Sequence, residues 1–178
     1  MINLETGFLK DTIKRLRYYK DLGDKTFEQL EEKDFFFQAS AESNSIAVIV
    51  QHLHGNMMSR FTNFLTEDGE KNWRKRDAEF EAVNTGKEAV INLWNEGWLC
   101  VLNTINNLQP QDLLKTIYIR TEPLFVYDAI LRQLAHYPHH VGQIVFIGKL
   151  IKDKNWQTLS IAKGESNQFN EQMGVQKN

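Results

Sequence analysis

Apolar residues recur every three or four positions in four long stretches of the chain, with charged and polar residues between them. This spacing is typical of amphipathic α-helices, because ~3.6 residues make one turn. The stretches cover residues 4–22, 46–65, 89–108 and about 127–153. Gly23-Asp24 is predicted to end the first helix, Ser43-Asn44-Ser45 can cap the start of the second, and Pro110 follows the third. The pattern therefore predicts an all-α fold, a four-helix bundle.

The segments between and after these helices are predicted to be connections, apart from one short hairpin. Residues 66–85 are polar and mixed in charge, which is typical of a long loop. Residues 116–120 alternate β-branched and aromatic side chains, and residues 124–126 could pair back with them in a small hairpin before the last long helix. The region 155–178 is polar and lacks periodicity, so we expect a C-terminal arm on a single domain that spans 1–178.

The composition of the chain narrows the range of partners. With 178 residues, of which 42% are hydrophobic and 25% charged, the chain can bury one sizeable core. Its formal net charge of -2 gives no general attraction to nucleic acid or to an anionic membrane. The longest apolar run, 46–50, is far shorter than the ~20 residues needed to cross a bilayer. The lone cysteine, Cys100, and an N-terminus without a secretory pattern predict a cytoplasmic protein.

The histidines carry the strongest functional signal. All five lie in two short stretches, within the second and fourth predicted helices. On a helix, His136 and His140 stand one turn apart on the same face. A third histidine must come from the second helix, where His52 and His54 point about 200° apart, so that only one of them can join. Three imidazoles, with positions left open for water and substrate, are typical of a catalytic metal centre.

Two neighbours in the fourth helix bear on this centre. His139 is offset by about 100° from His140 around the helix, so it could lie beside the centre while the pair one turn apart supplies ligands. Pro138 stands between these two ligands and removes one backbone hydrogen bond, which predicts a kink that would alter their convergence. We expect the ion to be divalent: zinc, nickel, manganese or iron.

Two segments resemble the DinB/YfiT-like metalloenzyme superfamily. They are Ser45-Ile46-Ala47-Val48-Ile49-Val50-Gln51-His52-Leu53 and His136-Tyr137-Pro138-His139-His140-Val141-Gly142-Gln143-Ile144. The resemblance covers nearly the whole chain and implies a four-helix bundle with up-down-down-up connectivity, commonly a homodimer. It also implies that His52, His136 and His140 are the metal ligands, the last two forming an H-x-x-x-H pair that precedes Gly-Gln.

A metal-dependent enzyme is the leading functional hypothesis. A divalent ion can lower the pKa of bound water to about 7 or hold a thiol as thiolate, so hydrolysis and thiol transfer both stay open. Characterised members of the superfamily include transferases that use low-molecular-weight thiols such as bacillithiol or mycothiol, and the resemblance implies a small-molecule substrate of that kind. Arg74 or Arg76 in the loop could bind an anionic group of the substrate. Asp77 and Glu96 are candidates for a general base.

The alternative function is a non-catalytic metal-binding or dimerising bundle. Arginine and carboxylate side chains around the metal would favour the enzyme, whereas a closed apolar surround would favour the alternative. Two other metal chemistries are excluded by the sequence. No glutamate stands three residues before a histidine, as in di-iron bundles, and the H-E-x-x-H motif of zinc proteases is absent.

Overall fold

The structure, a computed structural model, describes residues 3–82 and 85–175. Within these ranges the chain is mostly helical, with five α-helices and one two-stranded antiparallel sheet. The helices are α1 (Leu4–Glu28), α2 (Ile46–Phe61), α3 (Lys87–Asn107), α4 (Val126–Lys152) and α5 (Ser166–Gln172). The strands are β1 (Thr116–Ile119) and β2 (Glu122–Phe125). The predicted helical fold with a small hairpin before the last long helix is confirmed.

The four long helices share one hydrophobic core. α2 packs mainly against α3 and α1 against α4, and further contacts join α1 to α3 and α2 to α4. Aromatic side chains fill the centre, where Trp94, Trp98 and Tyr137 are at most 2% exposed. The up-down-down-up connectivity stays a prediction. None of the described helices is long and apolar enough to cross a membrane.

The predicted end of α1 at Gly23-Asp24 is wrong, since the helix continues to Glu28. Gly23 is buried against α3, and a Cβ at this position would lie 2.6 Å from Cη2 of Trp94. The next residue, Asp24, accepts a hydrogen bond of 2.7 Å from Nε1 of Trp94. The glycine therefore allows two helices to approach closely, and the aspartate fixes the indole that lies against it.

Replacing Gly23 with alanine is expected to lower the free energy of unfolding by about 1–3 kcal/mol, because the added methyl group overpacks against a rigid ring. Denaturant titration followed by circular dichroism measures the change. Gly142→Ala is the matched control, since Gly142 lies in α4 with nothing within 4 Å of its would-be Cβ. That control should gain about 0.5–1 kcal/mol from helix propensity. Equal behaviour of the two variants would contradict the packing role of Gly23.

The second helix is shorter than its apolar spacing predicts. The Ser45 hydroxyl accepts a hydrogen bond from the Val48 backbone N–H and caps the start of α2, as expected. The helix ends at Phe61 rather than near residue 65, and Asn63 follows with a φ of 50°. Asparagine adopts this left-handed conformation more readily than most residues. Phe64, beyond the turn, is still buried, so here the apolar spacing marks burial and not helix.

The hairpin is fixed to the loop between α2 and α3 by its turn. The register places Thr116 opposite Phe125 and Ile119 opposite Glu122. Arg120 and Thr121 form the turn, with φ values of 57° and 65°, which L residues other than glycine adopt at a cost of about 1–2 kcal/mol each. The Asp68 carboxylate accepts hydrogen bonds of 2.8 Å from both backbone N–H groups. This contact holds the turn and sets the position of Arg120.

The region predicted as a C-terminal arm begins with contacts to the helices. The Gln157 backbone N–H donates to Oε1 of Gln29, the C-cap residue of α1, at 2.8 Å, and Nε2 of Gln29 donates back to the Gln157 carbonyl at 3.1 Å. The ring of Trp156 lies close to Gly148 of α4. Residues 176–178 of the predicted arm lie outside the described residues, and the division into one domain and an arm stays a prediction.

Candidate metal centre

Two helices bring three histidine side chains to one point. α2 supplies His52, which is 5% exposed, and α4 supplies His136 and His140, which are partly buried. Nε2 of His136 lies 3.4 Å from Nε2 of His52 and 3.0 Å from Nε2 of His140. One nitrogen from each of the three rings lies within 4.8 Å of the others. The three histidines that the sequence singles out as ligands thus lie together.

Pro138 does not interrupt the helix that carries two of these histidines. α4 is continuous from Val126 to Lys152, although the proline lies inside it. His136 and His140 stand one turn apart on either side of the proline and still converge, with their rings in edge contact at a centroid distance of 4.8 Å. The expected disturbance by Pro138 therefore does not separate the pair.

The other two histidines point elsewhere. Nε2 of His54 pairs with Oε2 of Glu96 at 3.0 Å, and this contact involves none of the three clustered rings. His139 is exposed, and its ring contacts that of His140 at 5.2 Å without joining the cluster. Of the two candidate bases, Glu96 is thus engaged with His54, while Asp77 has a fully exposed side chain and contacts Arg76 at 3.9 Å. Neither is part of the cluster.

A buried ion pair orients His52. Nδ1 of His52 lies 2.9 Å from Oε2 of Glu79, and Arg74 binds both oxygens of the same carboxylate at 2.7 and 2.9 Å. Burial alone would raise the pKa of the Glu79 carboxyl, but hydrogen bonds from Arg74 and His52 hold it below its ordinary value. An ionised carboxylate can only accept, so Nδ1 of His52 must carry the proton. The lone pair of Nε2 is then directed at the other two histidines.

Glu79 reaches His52 because a short turn of the loop is fixed on α2. Residues Asp77–Phe80 form a 3₁₀ helix, and Nε2 of Gln51 donates to the Ala78 carbonyl at 2.9 Å. The Phe80 ring stacks on the His52 ring at a centroid distance of 4.8 Å. Gly55, on the same helix as His52, leaves the room that the carboxylate occupies, since a Cβ there would lie 2.7 Å from Cδ of Glu79.

Glu79 is not among the residues that the sequence singles out. It lies in the polar loop predicted between the second and third helices, and its partner His52 is 27 positions away along the chain. A carboxylate in such a segment is ordinarily solvated, and no local spacing distinguishes this one from its neighbours. The one hint in the sequence is Gly55. A glycine inside a helix lowers helix stability, so its presence indicates that another group packs closely against it.

His140 is oriented by its own helix. Nδ1 of His140 lies 2.8 Å from Oε1 of Gln143, so a proton on Nδ1 leaves the Nε2 lone pair directed at His136. Burial, followed by the charges of His140 and His52, lowers the pKa of His136 to about 3. Burial also lowers the pKa of His140. The lowered pKa values favour the neutral imidazole form of His136 and His140, which is the form that binds metal.

The donor set fits a divalent metal ion. Nitrogen ligands at 2.0–2.1 Å from one ion, at tetrahedral or octahedral angles, lie about 3.0–3.4 Å from each other. The two distances from Nε2 of His136, 3.0 Å to His140 and 3.4 Å to His52, fall in this range, and the ligand nitrogens of all three rings lie within 4.8 Å of one another. Lone pairs of at least two rings face each other across this space, which is unfavourable unless a proton or a cation lies between them. Three imidazole ligands suit zinc, nickel or iron in particular.

A cavity of about 270 Å³ opens beside the cluster. His52 and His136 form part of its wall, and so do Arg74 and Arg76, the two arginines singled out in the sequence. The cavity is polar on most sides and lies partly open to solvent, so a small molecule could reach the histidines. Arg74 is in addition committed to the ion pair with Glu79, which the sequence did not predict.

The fold and the cluster together define a helical protein with a candidate three-histidine metal site between two of its long helices. Residues 3–165 match the family model described as "Protein of unknown function (DUF1572)". The chain belongs to this family, which is part of the DinB/YfiT-like superfamily. No curated protein and no solved structure matches the sequence.

Proposed function

We propose that this protein is a metal-dependent enzyme in which His52, His136 and His140 hold one divalent ion. The observation that carries the proposal is the convergence of three imidazole rings, whose ligand nitrogens lie within 4.8 Å of one another, with hydrogen bonds at Nδ1 directing two of the rings. Such outer hydrogen bonds, which fix the tautomer, accompany metal-binding histidines almost without exception. A structural role alone would not call for three imidazole rings converging on one point.

The surroundings of the histidines favour catalysis over the non-catalytic alternative. A carboxylate, Glu79, and an arginine, Arg74, lie directly behind His52, and the adjoining cavity is lined by polar side chains. When bound, a divalent ion would supply a nucleophile at neutral pH, from either water or a low-molecular-weight thiol. The protein groups would hold the ion, fix the tautomers and admit a small substrate. Hydrolysis and thiol transfer both stay open, and the homodimer implied by the resemblance stays a prediction.

Metal analysis of purified protein tests the proposal. After reconstitution with zinc, nickel, manganese or iron, elemental mass spectrometry should find about one ion per chain in the wild type. His52→Ala and His136→Ala should lose it, because each removes one of three ligands. His54→Ala and His139→Ala serve as matched controls and should keep the ion, since neither ring joins the cluster.

Two results would count against the proposal. A wild type without metal after reconstitution with all four ions would make the non-catalytic bundle the better account. Loss of metal from the His54 or His139 controls would place the ion elsewhere. If the metal is bound as expected, the loaded wild type and the His136→Ala variant can be compared for hydrolysis and for thiol transfer with a low-molecular-weight thiol.

A further inference from the structure

The cavity beside the histidines is lined by an unusual number of arginines. Four separate parts of the chain contribute them: α2, the loop before α3, the hairpin turn and α4. They are Arg60, Arg74, Arg76, Arg120 and Arg132. Among the described residues that line this cavity, none carries a carboxylate. Five guanidinium groups around about 270 Å³ make a strongly positive pocket whose histidine side is the candidate metal site.

The carboxylates nearest to these arginines do not line the cavity. Glu70 is shared by Arg60, at 3.1 Å, and Arg120, at 2.9 Å, while Glu79 pairs with Arg74. Asp68, which accepts a hydrogen bond from the backbone N–H of Arg120, is a third carboxylate near these three arginines. None of the three carboxylates lines the cavity, so a ligand there meets the guanidinium groups first.

The remaining two arginines are available to a ligand. Arg76 touches Asp77 at 3.9 Å and Arg132 touches Glu122 at 3.8 Å, and all four side chains are about half exposed or more. Exposed ion pairs of this length contribute little and are easily exchanged for a better partner. The Arg76 guanidinium lies over the Phe80 ring, 5.2 Å from its centroid, and Phe80 in turn stacks on His52. This stack keeps Arg76 next to the metal site.

Two buried polar atoms of the cavity wall have no partner among the described residues. Arg74 has a side chain that is only 2% exposed, and its Nη1 makes no hydrogen bond although Nε and Nη2 bind Glu79. Gln133, which is 4% exposed, has an unpaired Oε1. Leaving such groups unpaired costs about 1–3 kcal/mol each. Of the two, only Nη1 of Arg74 is a donor that suits an anion, and it would have to shift to reach the cavity because it is buried.

We infer that the cavity binds a doubly charged oxyanion group of the substrate, a phosphate in preference to a carboxylate. This inference rests on the proposed function, since it names the substrate class of that same site. Guanidinium groups bind either oxyanion through paired N–H donors. A wall with five arginines and no carboxylate among its described residues favours the phosphate dianion, because phosphate has more oxygens and more negative charge than a carboxylate to accept from several guanidinium groups. A substrate held in this way would place its reacting group beside His52 and His136, which form the adjoining wall.

Calorimetric titration with sodium phosphate tests the inference directly. The titration is done at low salt in a phosphate-free buffer, on wild-type protein from which metal has been removed with a chelator and on metal-loaded protein. Phosphate should bind both forms. The result with metal-free protein is the decisive one, because in metal-loaded protein phosphate could bind the metal ion and not the arginines. Acetate should bind at least about fivefold more weakly than phosphate, and added salt should weaken both.

Charge-removing variants locate the bound anion. Arg76→Gln and Arg132→Gln should each raise the phosphate dissociation constant about five- to tenfold, because each removes a charge-assisted hydrogen bond. Arg17→Gln, an exposed change on α1 that removes the same charge, is the matched control and should leave it unchanged. The three positions are exposed enough that folding should be unaffected, which circular dichroism checks.

Three results would overturn the inference: no phosphate binding by metal-free protein, unchanged binding in both cavity variants, or acetate binding as tightly as phosphate. The metal proposal fails separately. A protein that binds phosphate through Arg76 and Arg132 but never holds metal would retain the anion site without the proposed enzyme. A protein that holds metal through its histidines but binds no phosphate would retain the enzyme with another substrate class.

Discussion

Replacing Glu79 with glutamine is expected to lower the affinity for zinc about 10- to 100-fold, and the free energy of unfolding by about 3–5 kcal/mol. The first effect follows from the tautomer of His52. A glutamine amide can offer its NH₂ group to Nδ1, which would move the proton to Nε2 and remove a ligand lone pair. The second effect follows from Arg74, whose side chain is 2% exposed and would lose the carboxylate with which it pairs.

The companion variant Arg74→Met separates these two effects. It should destabilise the fold by a similar amount, since it leaves the buried Glu79 carboxylate without its cation. It keeps the acceptor for Nδ1 of His52, so zinc affinity should change far less than in Glu79→Gln. Competition with a zinc-binding dye measures affinity, and denaturant titration of the metal-free proteins measures stability. Unchanged zinc affinity in Glu79→Gln would show that the carboxylate does not direct His52.

Only part of the metal centre could be predicted from the sequence. His136 and His140 follow from helical spacing alone, because a helix fixes which residues share a face. Helical spacing could not decide between His52 and His54, and the resemblance to the DinB/YfiT-like superfamily was needed to favour His52. In the structure His54 pairs with Glu96. Glu79 could not be predicted, since its contact with His52 depends on how a loop folds back over α2.

The same limit applies to the arginine-lined cavity and to the helix ends. Arg74 and Arg76 stand in a basic run that the sequence makes visible, whereas Arg60, Arg120 and Arg132 are single residues in three distant elements that only the fold brings together. The extension of α1 beyond Gly23 was missed for a related reason. The local sequence does not distinguish a glycine that ends a helix from one that leaves room for a tryptophan of another helix. Tertiary packing decides which role the glycine has.

Gly55→Ala is expected to weaken zinc binding about tenfold, although it changes no ligand and no charged group. A Cβ at Gly55 would overlap the Glu79 carboxylate, so the carboxylate must move away from His52 and Arg74. The helix would gain about 1 kcal/mol from alanine, but displacement of the buried ion pair should outweigh this and leave a net loss of stability of about 1–3 kcal/mol. Dye competition and denaturant titration measure the two quantities.

A double variant tests whether this effect passes through Glu79. If Gly55 matters only because it leaves room for the carboxylate, Gly55→Ala should lower zinc affinity no further when Glu79→Gln is already present. Gly142→Ala, two positions after His140 with nothing within 4 Å of its would-be Cβ, should keep full affinity. Additive losses in the double variant would mean that the methyl group disturbs His52 through the backbone of α2. In that case Gly55 would be needed for the backbone geometry of α2, and not to leave room for the Glu79 carboxylate that orients His52.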